Sequence, residues 1–279
     1  MHSNMRRTKQ EALNKISKLS EEVVGKCRIC DGNGFFANEN MCSCMQAFRE
    51  KSLAILARIP DEYLEYDLKS YPGVPMTADE KKRADKIVGF VDNYVKGIKP
   101  ETAQGILFSG SYGQGKSFLS SYCMRKMMWA LYPKYLNNTY CTANELVIAY
   151  NQHNKHEARR PIFQIEDFYD GVLCIDDLGK EYMMTWKSAV DTDKKPIGLL
   201  LDELFRSRMA RKLVTFCTTN FTGTDKKTVW EELADHYGAS VAETMKLHMR
   251  LVKFSDDFPN WREAVSNKAN KEFLEEYRV

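Results

Sequence analysis

The octapeptide Gly110-Ser111-Tyr112-Gly113-Gln114-Gly115-Lys116-Ser117 constrains this chain more than any other feature. It fits G-x-x-x-x-G-K-[ST], a spacing that serves one geometry: glycines turn the backbone until several N–H groups converge on phosphate oxygens at a helix N-terminus. Lys116 then supplies a point charge to the β- and γ-phosphates, and the hydroxyl of Ser117 a ligand for Mg²⁺. At average glycine frequency a chance match in a chain this long has a probability of about 1%. The flanks agree. Ile106-Leu107-Phe108-Ser109 reads as a short buried strand entering the loop, and Phe118 to Leu131 as a helix leaving it. The loop therefore predicts a nucleotide site built from Gly110, Gly113, Gln114, Gly115, Lys116, Ser117 and Phe118.

Further along, strands and helices alternate. Asn138 to Ala143 is a strand candidate followed by a helix from Asn144 to about Tyr150. Gly171 to Asp177 is an apolar strand ending in two carboxylates, Asp176 and Asp177. Beside a phosphate loop, the first carboxylate of such a strand orients Mg²⁺ and the second polarises the attacking water. Leu199 to Met209 reads as a helix, and Lys212 to Asn220 as a buried strand whose polar end offers Asn220 or Thr219 to the water or the γ-phosphate. Upstream, Ile59 to Tyr63 opens a helical turn, Tyr71 to Pro75 is a break, and Thr77 to Ile98 is a helix with an apolar face of Ala84, Ile87, Val91 and Tyr94. This alternation predicts an α/β fold with a doubly wound parallel sheet and its ligand at the strands' carboxyl ends.

Four of the eight cysteines crowd together as Cys27-x-x-Cys30 and Cys42-x-Cys44. A C-x₂-C turn brings two thiolates to one ion, so a closed structural Zn²⁺ site is expected from Cys27, Cys30, Cys42 and Cys44. A redox dithiol and unliganded thiols are the alternatives. So short a segment buries little core, and the metal would supply its folding energy. Cys123, Cys141, Cys174 and Cys217 stand singly in apolar contexts and read as buried thiols. Before the cluster, Leu13, Ile16, Leu19 and Val23 make Thr8 to Val24 an amphipathic helix, which packs on its own domain or docks a partner. Reduced thiols, no apolar stretch near the roughly 18 residues of a membrane span and no secretory leader predict a cytoplasmic protein with no membrane partner. The formal net charge of +3 is too small to argue for nucleic acid, so such a claim rests on local patches.

At this point the chain resembles the AAA+ ATPases of the DnaC/DnaI helicase-loader group, which shades into the IstB transposition ATPases. The resemblance runs through the C-x₂-C-x-G-x-G…C-x-C cluster, the Ile59-Pro60-x-x-Tyr63 lead-in, GSYGQGKS at 110–117, TYCTANELV at 139–147, VLCIDDLG at 172–179 and TFCTTN at 215–220. It implies a Walker A loop at 110–117, a Walker B pair at Asp176 and Asp177, and sensor 1 at Asn220. It also implies an arginine finger acting in trans from a helix after sensor 1, for which Arg250 is the positional match. Arg206, Arg208 and Arg211 are expected to line a subunit interface or pair on the surface, and Arg262 to match a late arginine near the nucleotide. Two departures matter. Walker B is Asp-Asp where many AAA+ proteins have Asp-Glu, which implies slow turnover. The 17 residues after Arg262 are too few for a full C-terminal helical lid.

What the resemblance implies is a docking segment at 1–55 and an ATPase domain at 56–279. The function implied is ATP-dependent loading of a DnaB-type hexameric replicative helicase onto single-stranded DNA, in a bacterial cell or a phage-infected host. ATP, Mg²⁺ and Zn²⁺ are the implied cofactors, and the ATP-bound chain is expected to form a homo-oligomer. An IstB-like ATPase that assembles on duplex DNA for a transposase is the alternative. A nucleotide-bound adaptor without significant hydrolysis is another. For DNA, the basic stretch of His153, Lys155, His156, Arg159 and Arg160 with Phe163 and Tyr169 nearby is one candidate contact, and Met183 to Lys187 a second. A solvated loop is the competing reading of the first.

Overall fold

The computed structural model describes residues 9–36, 39–64, 67–71, 77–97, 104–133, 137–155, 163–181, 196–256 and 258–260. In chain order the helices and strands are α1 (Lys9–Val23), α2 (Ser43–Leu56), α3 (Ala78–Lys96), β1 (Gly105–Ser109), α4 (Lys116–Leu131), β2 (Thr139–Thr142), α5 (Ala143–Lys155), β3 (Leu173–Leu178), α6 (Pro196–Ala210), β4 (Thr215–Thr219), α7 (Val229–Tyr237), α8 (Ala239–His248) and β5 (Met249–Lys253). Local chemistry sets several boundaries. Thr77 and Glu80 form a reciprocal capping box at the start of α3, and Thr228 and Glu231 do the same for α7.

The five strands pair in the order β2-β3-β4-β1-β5, and every pairing is parallel. Parallel neighbours require crossover connections, which the intervening helices provide. Side chains alternate between the sheet's faces, and the core divides accordingly. Ile106 and Phe108 of β1 join Phe216, Cys174 and Tyr140 in a cluster covered by α3 and α4. Leu107 joins Cys217, Leu173 and Ile175 on the other face, under residues of α5, α6, α7 and α8. The doubly wound parallel α/β sheet expected from the sequence is the observed architecture. Along it the chain reverses direction next to β1, which opens a crevice at the carboxyl ends of β1, β3 and β4.

The N-terminal segment belongs to this core. Ala12 of α1 and Ala54 and Ile55 of α2 are buried in the same cluster as Phe108 and Phe216, with Ile16 and Leu19 packed against it. Lys15 pairs with Asp61 at 2.5 Å, and Lys126 of α4 with Glu50 of α2 at 2.7 Å. The apolar stripe of α1 thus lies against its own chain, with Leu13 left on the exposed edge at 45%. Helix α2 runs through Leu56, past the expected segment boundary at residue 55. Cys123, Cys141, Cys174 and Cys217 are buried free thiols. Among the described residues no helix is long and apolar enough to cross a membrane.

Candidate nucleotide site and cysteine centre

The loop between β1 and α4 has the backbone that its glycines were needed for. Gly113 and Gly115 sit at φ 77° and 81°, the left-handed region, and Gly115 immediately precedes α4. A Cβ on Gly113 would lie 1.8 Å from Asn260 Oδ1, so the Asn260 side chain, from the segment after β5, lies directly against the loop backbone there. That segment straps the loop: Phe254 N–H donates to Ser109 O at 2.8 Å, and Gln114 Nε2 donates to Ser255 O at 2.9 Å. The Gln114 side chain is therefore an anchor into the fold, and its backbone carbonyl accepts from Tyr71 OH at 3.0 Å. Phe118 is likewise committed to packing, stacked on Tyr71 with ring centroids 5.8 Å apart.

Lys116, the first residue of α4, is buried, and its ammonium donates to Ser111 O at 2.7 Å and to Asn220 Oδ1 at 3.0 Å. Asn220 directly follows β4, the strand next to β1, which explains how residues 104 positions apart meet. With Oδ1 engaged by Lys116, its Nδ2 is buried and has no protein partner among the described residues. A buried orphan donor calls for an acceptor, and a phosphate oxygen held by the loop would supply one.

Ser117 Oγ donates to Asp176 Oδ1 at 2.8 Å, which joins the loop to the end of β3. Asp176 is itself buried, and Thr218 Oγ1 of β4 also donates to Oδ1, while Tyr140 OH of β2 donates to Oδ2 at 2.6 Å. A hydroxyl beside a carboxylate is a hard-oxygen pair of the kind Mg²⁺ takes together with phosphate oxygens. Asp177 stands apart. The β3–β4 register shifts between Ile175 and Leu178, and Asp177 adopts φ 63°. A bulge of this type re-aims a side chain. Its N–H donates to Thr218 Oγ1 at 2.9 Å, and its carboxylate pairs with Lys180 Nζ at 2.6 Å. Lys180 also lies 4.5 Å from the ring centroid of Tyr112 in the loop. Lys116, Ser117, Asp176, Asp177 and Asn220 are thus brought to one end of the sheet. Tyr140 and Thr218 join them in roles that no motif assigned, because strand pairing makes them neighbours, and Lys180 joins from three residues along the chain from Asp177.

Two of the arginines, Arg250 and Arg208, depart from expectation. Arg250 lies on strand β5, not on a helix, in register with Ile106 near the start of β1. It is exposed and donates to Gln104 Oε1 at 3.1 Å. Arg208 is fully buried and cannot line an interface or pair on the surface. It donates to Thr215 Oγ1 and to the carbonyls of Phe168, Asp170, Gly171 and Val214 at 2.7–3.1 Å. Burial lowers its pKa. Arg206 pairs with Asp202 at 2.9 Å and Arg211 with Asp170 at 3.4 Å, both at the surface. Of the expected DNA contacts, Phe163 is unavailable for stacking on bases: it is 3% exposed, beneath Arg58 and against Phe168. Tyr169 is half-buried. The side chains of His153 and Lys155, and His156, Arg159, Arg160, Met183 to Lys187 and Arg262, lie outside the described residues.

In the cysteine cluster, the four Sγ atoms of Cys27, Cys30, Cys42 and Cys44 all lie within 4.8 Å of one another. Cys27 and Cys42 are 3.9 Å apart, and Cys30 and Cys44 3.5 Å. Zn–S bonds of about 2.3 Å in a tetrahedron place sulfurs about 3.8 Å apart, so the set fits a Zn²⁺ ion. Gly34 N–H donates to Cys30 Sγ at 3.1 Å, a bond that stabilises the sulfur as a thiolate ligand. Backbone N–H groups of Ile29 and Cys30 lower the Cys27 thiol to about 7.

No protein-family model matches the chain, and no curated protein matches it in sequence. Solved structures do. The chain is similar to the DnaC helicase loader, with a TM-score of 0.52 at 17% identity over 70% of this chain and 100% of that one. It is also similar to DnaI, at 0.46 and 20% over 73% of this chain and 94% of that one. The replication initiator DnaA bound to AMPPCP and single-stranded DNA matches at 0.47 and 15%, over 79% and 57% of the two chains. The likeness to DnaC establishes a shared fold.

Proposed function

We propose that this chain is an ATP-dependent loader of a DnaB-type hexameric replicative helicase onto single-stranded DNA. The observation that carries the proposal is the convergence of Lys116, Ser117, Asp176 and Asn220 at one end of a sheet that shares its fold with the DnaC loader. Loop amides and Lys116 would hold the phosphates of ATP. Ser117 and Asp176 would hold Mg²⁺, which shields the charge on the transferring phosphoryl group when bound. Asp177 would orient water, and Asn220 Nδ2 would donate to the γ-phosphate or to that water.

An arginine supplied in trans adds about 10³–10⁵ to phosphoryl transfer, or roughly 4–7 kcal/mol. The isolated subunit is accordingly a slow ATPase, and homo-oligomers formed with ATP are the active state. Arg250 fits a trans role through its exposure on an edge strand, although a strand departs from what the family resemblance implies. Residues 1–55, with Zn²⁺ on the four cysteines, are the proposed contact with the helicase. The test is loading itself. Helicase retained on a circular single-stranded DNA is expected to rise with the chain and ATP, and to stay at background with Lys116→Ala. Retention indifferent to the chain would refute the proposal.

A further inference from the structure

Asp176 is fixed by three hydroxyls from three elements. Two of them, Ser117 of α4 and Thr218 of β4, bind Oδ1, the oxygen on the loop side. The third, Tyr140 of β2, binds Oδ2 at 2.6 Å from the opposite side. A carboxylate free to turn about its Cβ–Cγ bond can exchange its oxygens. One held on both sides cannot. Tyr140 is placed for this by strand register, with Thr142 opposite Asp176 and Tyr140 opposite Cys174. Its ring is buried in the core, and its hydroxyl donates to the carboxylate at 2.6 Å. Ser117 must turn its lone pairs toward a cation when it acts as a ligand, and its proton then needs a fixed acceptor. Asp176 Oδ1 is that acceptor only while Oδ2 stays engaged.

We infer that Tyr140 is a positioning residue of the magnesium site, acting through Asp176 to set the affinity for Mg²⁺ in the nucleotide complex. The inference rests on the nucleotide reading above and names a residue that reading does not use. Outer-shell hydrogen bonds of this kind are worth about 10–100-fold in metal affinity. Tyr140→Phe keeps the ring and removes the donor.

The experiment is equilibrium binding of a fluorescent ATP analogue to the full chain across a Mg²⁺ titration, with a parallel series in EDTA. Tyr140→Phe is expected to need about 10-fold or more Mg²⁺ for half-maximal tightening, with affinity in EDTA within about twofold of the parent. In the Asp176→Asn background the same change is expected to have no further effect on the Mg²⁺ midpoint. An unchanged midpoint, an equal loss in EDTA, an additive loss in the Asp176→Asn background, or a variant that no longer unfolds cooperatively would each overturn the inference. Were the parent chain not to bind the analogue at all, the nucleotide reading would fail instead.

Discussion

Replacing Arg208 by methionine tests a part of the structure that motif reading assigned to the surface. The guanidinium is fully buried and spends its donors on four carbonyls and a hydroxyl, tying the Phe168–Gly171 turn to the entry of β4. Methionine fills much of the volume and donates nothing. Val214 O keeps Leu173 N–H as a partner at 3.2 Å, and Asp170 O is only part-buried, so Phe168 O and Gly171 O bear most of the loss. Stranding a buried carbonyl costs about 1–3 kcal/mol, which gives about 2–6 kcal/mol for the pair. Against a total stability of about 5–15 kcal/mol that is a large fraction. At about 2–4 °C per kcal/mol, a loss near 4 kcal/mol lowers Tm by about 8–16 °C. Urea unfolding followed by circular dichroism reads it directly. A loss below about 1 kcal/mol would mean that the cost of desolvating the guanidinium cancels its bonds, and the reasoning would be wrong.

Three further outcomes are expected. Asp177→Asn lowers ATP turnover by about 10²–10⁴-fold while leaving nucleotide affinity unchanged, and equal turnover in a single-turnover assay would remove Asp177 from the water-orienting role. The chain is expected to carry one Zn²⁺, released by thiol modification of the four cysteines and lost in Cys30→Ser. Metal-free protein whose thiols react at once would refute the zinc site. His248 is buried with Nε2 2.9 Å from Leu213 O; burial, and then the charge of Arg208, hold its pKa below the ordinary 6.5. The unfolded chain therefore takes up this proton first. The stability His248 gives is full above 6.5 and falls as pH drops below it toward the folded value. His248→Gln is expected to flatten that slope below pH 6.5 in thermal unfolding, and an unchanged slope would place the titration elsewhere.

The phosphate loop, the strand before it, the helix after it and the carboxylate pair were legible because each is a local pattern: glycines where the backbone turns, apolar runs where strands are buried. Cys27, Cys30, Cys42 and Cys44 were legible for the same reason. What the sequence hid depends on long-range pairing. Arg208 sits among other arginines in a run that looks like a surface stripe, and only the packing of α6 over β4 turns it inward. Phe163 looks like a partner for the basic stretch before it, yet it is drawn into the core beside Phe168. The family resemblance implied a helix at Arg250, and the pairing of Met249 to Lys253 with β1 makes that segment a strand. Tyr140 reaches Asp176 across a strand pair that no spacing announces.

The central claim is an ATP-dependent complex with a replicative helicase that needs the cysteine centre. Deleting residues 1–55 would cut α2, remove Ala12, Ala54 and Ile55 from the core and uncover the residues they pack against, so single cysteine substitutions are the sharper perturbation. The measurement is the mass of the eluted species when the chain and a DnaB-type helicase hexamer pass together through size-exclusion chromatography, with and without ATP. The account expects a complex with ATP for the parent chain, and free helicase for Cys30→Ser that still binds nucleotide. Co-elution in no nucleotide state, or a complex indifferent to Cys30→Ser, would contradict it.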